Sequence, residues 1–244
     1  MSALAGKTAV VTGASGGIGS GIALALAAAG VDLCLLGRER SRCDALCRQV
    51  AAACPDVRAS FYAADLADAA SIRRACEELL RQQPAIDLLI HGAGILVPGD
   101  YASARIEDFD AQYFINVRAP FLLTQALLPA LRGRKGQVVF VNSSAAQQKA
   151  KAGLAAYAAS KYALTAVADS LRDEVNLDGV RVISIYPGRT ATPMQERIHA
   201  VEHKTYRPAA LLQPGDVAQA VLAALTASPT AEITDISIRP VQKG

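Results

Sequence analysis

Tyr157 and Lys161 stand four residues apart in "YAASK", with only Ala158, Ala159 and Ser160 between them. On a helix that spacing stacks two side chains on one face. A phenol with a pKa of about 10 is a poor acid or base at neutral pH, but a neighbouring ammonium favours the phenolate and lowers that pKa. Such a phenol can exchange a proton with a carbonyl or alcohol oxygen. The small residues around the pair leave room for ligands on that face. Tyr and Lys at this spacing also arise by chance on many helices, so the pair gains meaning only with partners. One partner is Ser144, which ends the run "QVVFVNSS" thirteen residues before Tyr157. In an open parallel sheet the carboxyl ends of the strands border the ligand crevice, and a serine hydroxyl there can hydrogen-bond a substrate oxygen. Ser143 is the alternative hydroxyl, or only a turn former; the spacing to Tyr157 favours Ser144.

A second constellation is "TGASGGIG", residues 12–19, set between an apolar run and an alanine-rich helical stretch. Gly13 allows a tight turn, while Gly17 and Gly19 let backbone approach a phosphate and let the helix pack near the strand. Amides at the helix N-terminus can then hold a pyrophosphate, with Ser15 and Ile18 as further contacts of the loop. A glycine-rich turn with no ligand is the plain alternative, and the strand before and helix after argue against it. The end of the second strand is where a dinucleotide's adenosine ribose should lie. A carboxylate there would bind the ribose hydroxyls, whereas a cation suits a 2′-phosphate. This chain has Gly37 then Arg38 and no acid at the strand terminus. Guanidinium matches phosphate geometry; an ordinary solvated arginine beside Arg40 and Arg42 is the alternative. In "AADLAD", Asp65 can bond an adenine amino group with Leu66 beside the ring, although Asp65 or Asp68 would equally cap the next helix.

These groups are held by alternating elements. The runs "KTAVVTG", "DLCLL", "VRASFYA", "DLLIHGAG", "GQVVFVNSS", "RVISIYPG" and "ITDISIRP" read as strands. Helical periods occupy Gly17 to Ala29, Glu39 to Ala53, Ala67 to Gln82, roughly Ile106 to Leu131, Ala155 to Asn176 and Asp216 to Ala224. Pro120 is expected to kink the long fourth helix. Asp216 is expected to cap the last one, and residues 190–214 read as irregular and polar. Strand–helix alternation with right-handed crossovers predicts an α/β, doubly wound sheet of about seven parallel strands with helices on both faces.

The chain has 244 residues, 52% hydrophobic and 19% charged, enough to bury a sizeable core and too apolar for global disorder. A net charge of +3 gives no case for nucleic acid or an anionic membrane. Cys34, Cys43, Cys47, Cys54 and Cys76 have no second cluster to complete a metal site and read as reduced thiols. "MSALAGK" lacks the charged start and apolar core of a signal peptide, and "GIALALAAAGV" is too short to cross a bilayer. A cytoplasmic protein without membrane contact is expected.

The order and spacing of "TGASGGIG", "DL" at 65–66, "HGAG" at 91–94, Asn116 in "NV", "NSS" ending at Ser144, "YAASK" and "PGRTAT" at 187–192 carry a resemblance. Over essentially its whole length the chain resembles the short-chain dehydrogenase/reductase family. The resemblance implies a single Rossmann-type domain over residues 1–244 and a catalytic tetrad of Asn116, Ser144, Tyr157 and Lys161. It implies that Lys161 also holds the nicotinamide ribose and that Asn116 orders a water chain to it. It adds Gly92, Ala93 and Gly94 after the fourth strand, and Pro187, Gly188, Thr190 and Thr192 around the nicotinamide, as cofactor contacts. The implied activity is NADP(H)-dependent interconversion of a carbonyl and an alcohol, on a ketone or a 3-oxoacyl substrate. A catalytically silent NADP-binding regulator is the reading from another class, disfavoured by the complete tetrad. The substrate is expected between Ile95–Val97, residues 147–154 and a lid within 190–214. The resemblance also implies a homotetramer, or a dimer, through "FLLTQALLPAL" (121–131) and Ala155 to Leu171. Two departures stand out. The family usually has two asparagines where this chain has His91 and Gly92, and His91 reads as a satisfied strand-end histidine. Arg189 occupies a position more often apolar, and could greet an acidic substrate or face water.

Overall fold

Valine-, isoleucine- and leucine-rich runs that are buried at every position need neighbours on both faces, which is the signature of a parallel sheet covered by helices. β1 (Thr8–Thr12) and β5 (Gln137–Val141) are buried throughout. With β2 (Asp32–Gly37), β3 (Ala59–Ala63), β4 (Leu88–His91), β6 (Arg181–Pro187) and β7 (Asp235–Ile238) they form one parallel sheet in the order β3-β2-β1-β4-β5-β6-β7. The computed structural model describes residues 2–241, so the outermost residues of the expected 1–244 span lie outside it. Strand order reverses between β1 and β4, and the crevice outside their carboxyl ends is where such sheets bind ligands.

Successive residues of β1 face opposite ways, as strand geometry requires. Ala9 and Val11 join a core with α1 (Gly17–Ala28), α2 (Arg40–Ala53) and α8 (Pro214–Leu225), through Ile22, Leu26, Val50 and Val217. Val10 joins the opposite core with α3 (Ala69–Gln82), α5 (Ala119–Arg134) and α6 (Ala155–Val175), through Ile72, Leu79, Leu127 and Leu164. The expected doubly wound Rossmann architecture is therefore the one observed.

Local details differ from the sequence reading. The long fourth helix is divided into α4 (Ile106–Tyr113), a π-turn at Phe114–Arg118, and α5. The register change precedes Pro120, which sits in the first turn of α5 where its missing N–H is not needed. By length and composition alone, Ile106–Arg134 could cross a bilayer, but Leu123, Leu127 and Leu131 are buried in the core. Residues 190–214 are not irregular. They contain α7 (Pro193–Val201), started by Pro193 and capped by Thr192, whose hydroxyl accepts the Gln195 N–H at 3.2 Å. The polar residues Gln195, Glu196 and Arg197 hid its period. Asp216 caps α8 from its third position and not from the N-cap: the helix starts at Pro214, and in a capping box the Asp216 carboxylate accepts the N–H of Gln213, one residue before the helix, at 2.7 Å. Asp68, not Asp65, caps α3, accepting from the amides of Ala70 and Ser71.

Candidate active site

The glycine loop is as tight as its composition predicts. Gly13 has φ +73°, and a Cβ there would lie 2.6 Å from Ala93 N and from the carbonyl of Gly92. A Cβ on Gly92 would lie 2.7 Å from the Thr12 carbonyl oxygen. The turns after β1 and β4 therefore touch backbone to backbone, which only glycine permits. Gly17, at φ +58°, faces the Thr192 methyl. No side chain caps α1, so its first amides are free for an anion. Around this loop a cavity of about 580 Å³ runs along the carboxyl ends of the strands.

At one end lie Gly37, Arg38, Glu39, Arg42, Cys43 and Leu66. Arg38 is mostly exposed, its Nε 3.9 Å from Asp65. Asp65 itself does not line the cavity; it also accepts the Ala67 N–H at 3.0 Å. Glu39 lines the cavity and is held by Arg42 at 2.8 Å. Arg42, expected only as a solvated neighbour, lies in the first turn of α2 and lines the same end of the cavity as Arg38.

At the other end lie Gly92, Ala93, Gly94, Ile95, Tyr157, Lys161 and Thr192. Lys161 is 3% exposed and donates to the Val141 carbonyl at 3.1 Å. Its Nζ lies 5.9 Å from the centroid of the Tyr157 ring. Burial lowers the ammonium's pKa to about 8. The same burial raises the Tyr157 pKa, with the Ser143 hydroxyl pulling the other way. The direction expected from the lysine alone is therefore reversed, because removing water disfavours the phenolate more than the distant ammonium favours it.

Ser143 and Ser144 both stand beside Tyr157 at the end of β5, and the Ser143 hydroxyl lowers the Tyr157 pKa against the effect of burial. Ser143 continues the extended backbone of β5 with φ −161° and caps the short turn Ser144–Ala146 through the Ala145 N–H. Ser144, thirteen residues before Tyr157, is the first residue of that turn. Asn116 is fully buried in the π-turn. Its side chain bridges both polar groups of the Ile95 backbone and donates to Ser160 Oγ at 3.0 Å. Asn116 thus fixes the loop after β4 and does not itself line the cavity, and neither does Gly19, which packs against the Gly13 carbonyl. Gly94 fits between Asn116 and Lys161: a Cβ there would be 3.3 Å from Asn116 Oδ1 and 3.6 Å from Lys161 Nζ.

A second cavity, of about 170 Å³, shares Tyr157 with the first and is lined also by Ser143, Ser144, Leu154, Pro187, Gly188, Arg189, Thr190 and Met194. Pro187, Gly188 and Thr190 thus border this space rather than the larger one. Arg189 neither faces water freely nor stands unpaired. Its Nη2 donates to both oxygens of Glu202 at 2.6 and 2.8 Å, and Lys204 reaches Glu202 at 2.9 Å. Those bonds hold the Glu202 pKa down to about 2. His91, at the end of β4, is buried, its Nε2 2.8 Å from Thr124 Oγ1 and its ring stacked on Phe140. Only half of it is satisfied, since Nδ1 has no partner among the described residues.

Ile95, Met194 and Arg197, expected around the substrate, line the larger cavity, whereas Arg42 and Asn142 were not foreseen there. Asn142, beside the serines at the end of β5, had a positional signal.

A family model described as short chain dehydrogenase matches residues 7–203. Among curated proteins, oxidoreductase UcpA of Escherichia coli (strain K12) is 35% identical over 202 residues, covering 81% of this chain and 74% of that protein. Among solved structures, a short chain dehydrogenase from Burkholderia cenocepacia J2315 in complex with NADP superimposes with a TM-score of 0.85 at 31% identity, covering 96% of this chain and 97% of that one. A metagenomic short-chain oxidoreductase in complex with NADP gives a TM-score of 0.84 at 30% identity, covering 99% and 100%.

Proposed function

The chain belongs to the short-chain dehydrogenase family, and from that premise we propose that this oxidoreductase interconverts a carbonyl and an alcohol with NADP(H). The observation that carries the reading is that Tyr157 lines both cavities, which supports a phenol acting between a cofactor space and a substrate space. The residues suit the cofactor: glycines whose Cβ atoms would fill the cradle, free amides at the start of α1, and Arg38 and Arg42 near the expected ribose. The two solved relatives described above, both holding NADP, support the phosphorylated form. When bound, the nicotinamide supplies or accepts the hydride.

The protein's own part is positioning and proton transfer. Tyr157 donates a proton to the carbonyl oxygen in reduction and takes it back in oxidation. Its raised pKa keeps it a proton donor at neutral pH in the reductive direction. Ser144, with Ser143 as the alternative, donates a hydrogen bond to the same oxygen as charge develops there. Lys161 holds the nicotinamide ribose and biases the phenol electrostatically. Asn116 acts by fixing the Ile95 backbone against that site. A ketone or 3-oxoacyl thioester is the substrate class in view, with α7 as the lid of the substrate space. The remaining parts of the reading are a single domain, a cytoplasmic location, and a homotetramer or dimer. Ile106, Phe109, Tyr113, Phe121 and Tyr162, large apolar residues left exposed on α4, α5 and α6, support a second copy of the chain as their cover.

The test is a screen of ketones, keto acids and acyl thioesters followed by NADPH absorbance, with Tyr157→Phe beside the parent. The variant should lose turnover while binding NADPH as the parent does. Residual activity within about tenfold of the parent would sink the assignment.

A further inference from the structure

Resting on the carbonyl–alcohol reading above, we propose that the substrate carries a carboxylate, received by Arg189 with Lys149 and Lys151 while its carbonyl faces Tyr157. The second cavity joins these two chemistries in one space. Tyr157, Ser143 and Ser144 line it, and so do Lys149, Lys151 and Arg189. Glu202 is the only acid among its lining residues, so three cations face one carboxylate. A pocket for a neutral ketone needs only apolar walls and a few polar groups around the carbonyl; a surplus of cations has no partner there. Lys149 and Lys151 form no ion pair among the described residues.

Arg189 already shows what it can hold. Its Nη2 grips both oxygens of Glu202, and no other hydrogen bond of its side chain occurs among the described residues, so the rest of the guanidinium fork is open. Glu202 is also held by Lys204 at 2.9 Å. An incoming carboxylate can therefore share or take Arg189 without leaving Glu202 unpaired, which is the condition for a cheap exchange of ion-pair partners. Glu202 lies just beyond the C-terminus of α7, whose Met194, Gln195 and Ile198 line the same cavity. The exchange thus occurs on the element proposed to cover the substrate.

The experiment compares a carboxylic acid with its uncharged isostere. Isobutyrate and isobutyramide are titrated calorimetrically into the protein, with and without NADPH. The carboxylate should bind roughly tenfold or more tightly. Glu202→Gln, which removes the competing carboxylate, should strengthen isobutyrate binding and leave isobutyramide unchanged. Arg189→Met should erase the preference. The surface double variant Lys149→Ala/Lys151→Ala, which does not threaten folding, should weaken the acid alone. Equal binding of acid and amide by the parent overturns the inference, as does a Glu202→Gln variant that weakens both alike, since a purely structural ion pair would give that result. Turnover is read in parallel. A kcat/KM for small keto acids roughly tenfold above that for matched methyl ketones supports the inference, and a preference for neutral ketones or acyl thioesters overturns it. Selective acid binding without turnover of any carbonyl upholds the carboxylate site and fails the carbonyl–alcohol reading.

Discussion

Replacing His91 should flatten the acid limb of this protein's stability curve. His91 is 1% exposed and stacked on Phe140 with ring centroids 4.8 Å apart. Burial lowers its pKa from 6.5 to about 3. The unfolded chain therefore binds a proton over a pH interval in which the folded chain does not. Its contribution is fully present above pH 6.5, is lost progressively as pH falls, and stops changing below the folded pKa of about 3. Each pH unit within the interval costs about 1.4 kcal/mol, so the fall from pH 6.5 to pH 5 removes about 2 kcal/mol. That is a large share of the roughly 5–15 kcal/mol a domain has. His91→Gln keeps a hydrogen-bonding partner for Thr124 and removes the titration. Urea unfolding at pH 7.5 and pH 5, at one fixed protein concentration because association feeds into stability, gives the comparison. The parent should lose about 2 kcal/mol more than the variant between the two conditions. Groups common to both proteins cancel. Glu202, with a pKa lowered from 4.5 to about 2, contributes stability that is lost only as pH falls below 4.5, outside this window. Equal losses in parent and variant would show that the buried imidazole is not what makes the protein acid-sensitive.

Three other outcomes are expected. Ser144→Ala should lower kcat by about a hundredfold or more, and Ser143→Ala by about tenfold at most; the reverse order would make Ser143 the partner of the substrate oxygen. Arg38→Asp should swing the cofactor preference from NADPH towards NADH, by roughly tenfold to a hundredfold in the kcat/KM ratio, and a parent that already favours NADH would refute the role of Arg38. Light scattering at micromolar concentration should give a multiple of 25.4 kDa, and Phe121→Glu, placing a charge on the exposed apolar face, should shift the parent towards monomer; a parent that is already monomeric refutes the interface.

Much of this protein was legible because its signals are local. The alternation of apolar runs and helical periods sufficed for the doubly wound sheet, since a strand buried at every residue, such as β1 or β5, has few architectures open to it. Gly13 and Gly17 announced positive φ, and "YAASK" announced a phenol and an ammonium on one face, because φ and helical pitch depend on a few consecutive residues. What depended on the path of the chain through space was not legible. The short turn Ser144–Ala146 after β5 brings Ser143 and Ser144 together beside Tyr157, and residue spacing cannot register it. The fate of Arg189 was set by Glu202, thirteen residues away across a helix that polar residues concealed. Asn116 was found, but its task of clasping the Ile95 backbone follows from a π-turn with no sequence signature. The direction of the Tyr157 pKa was the most instructive reversal. Composition names the charges near a group, but the water excluded from around it is a property of the packed molecule alone, and in this site that exclusion outweighs the lysine.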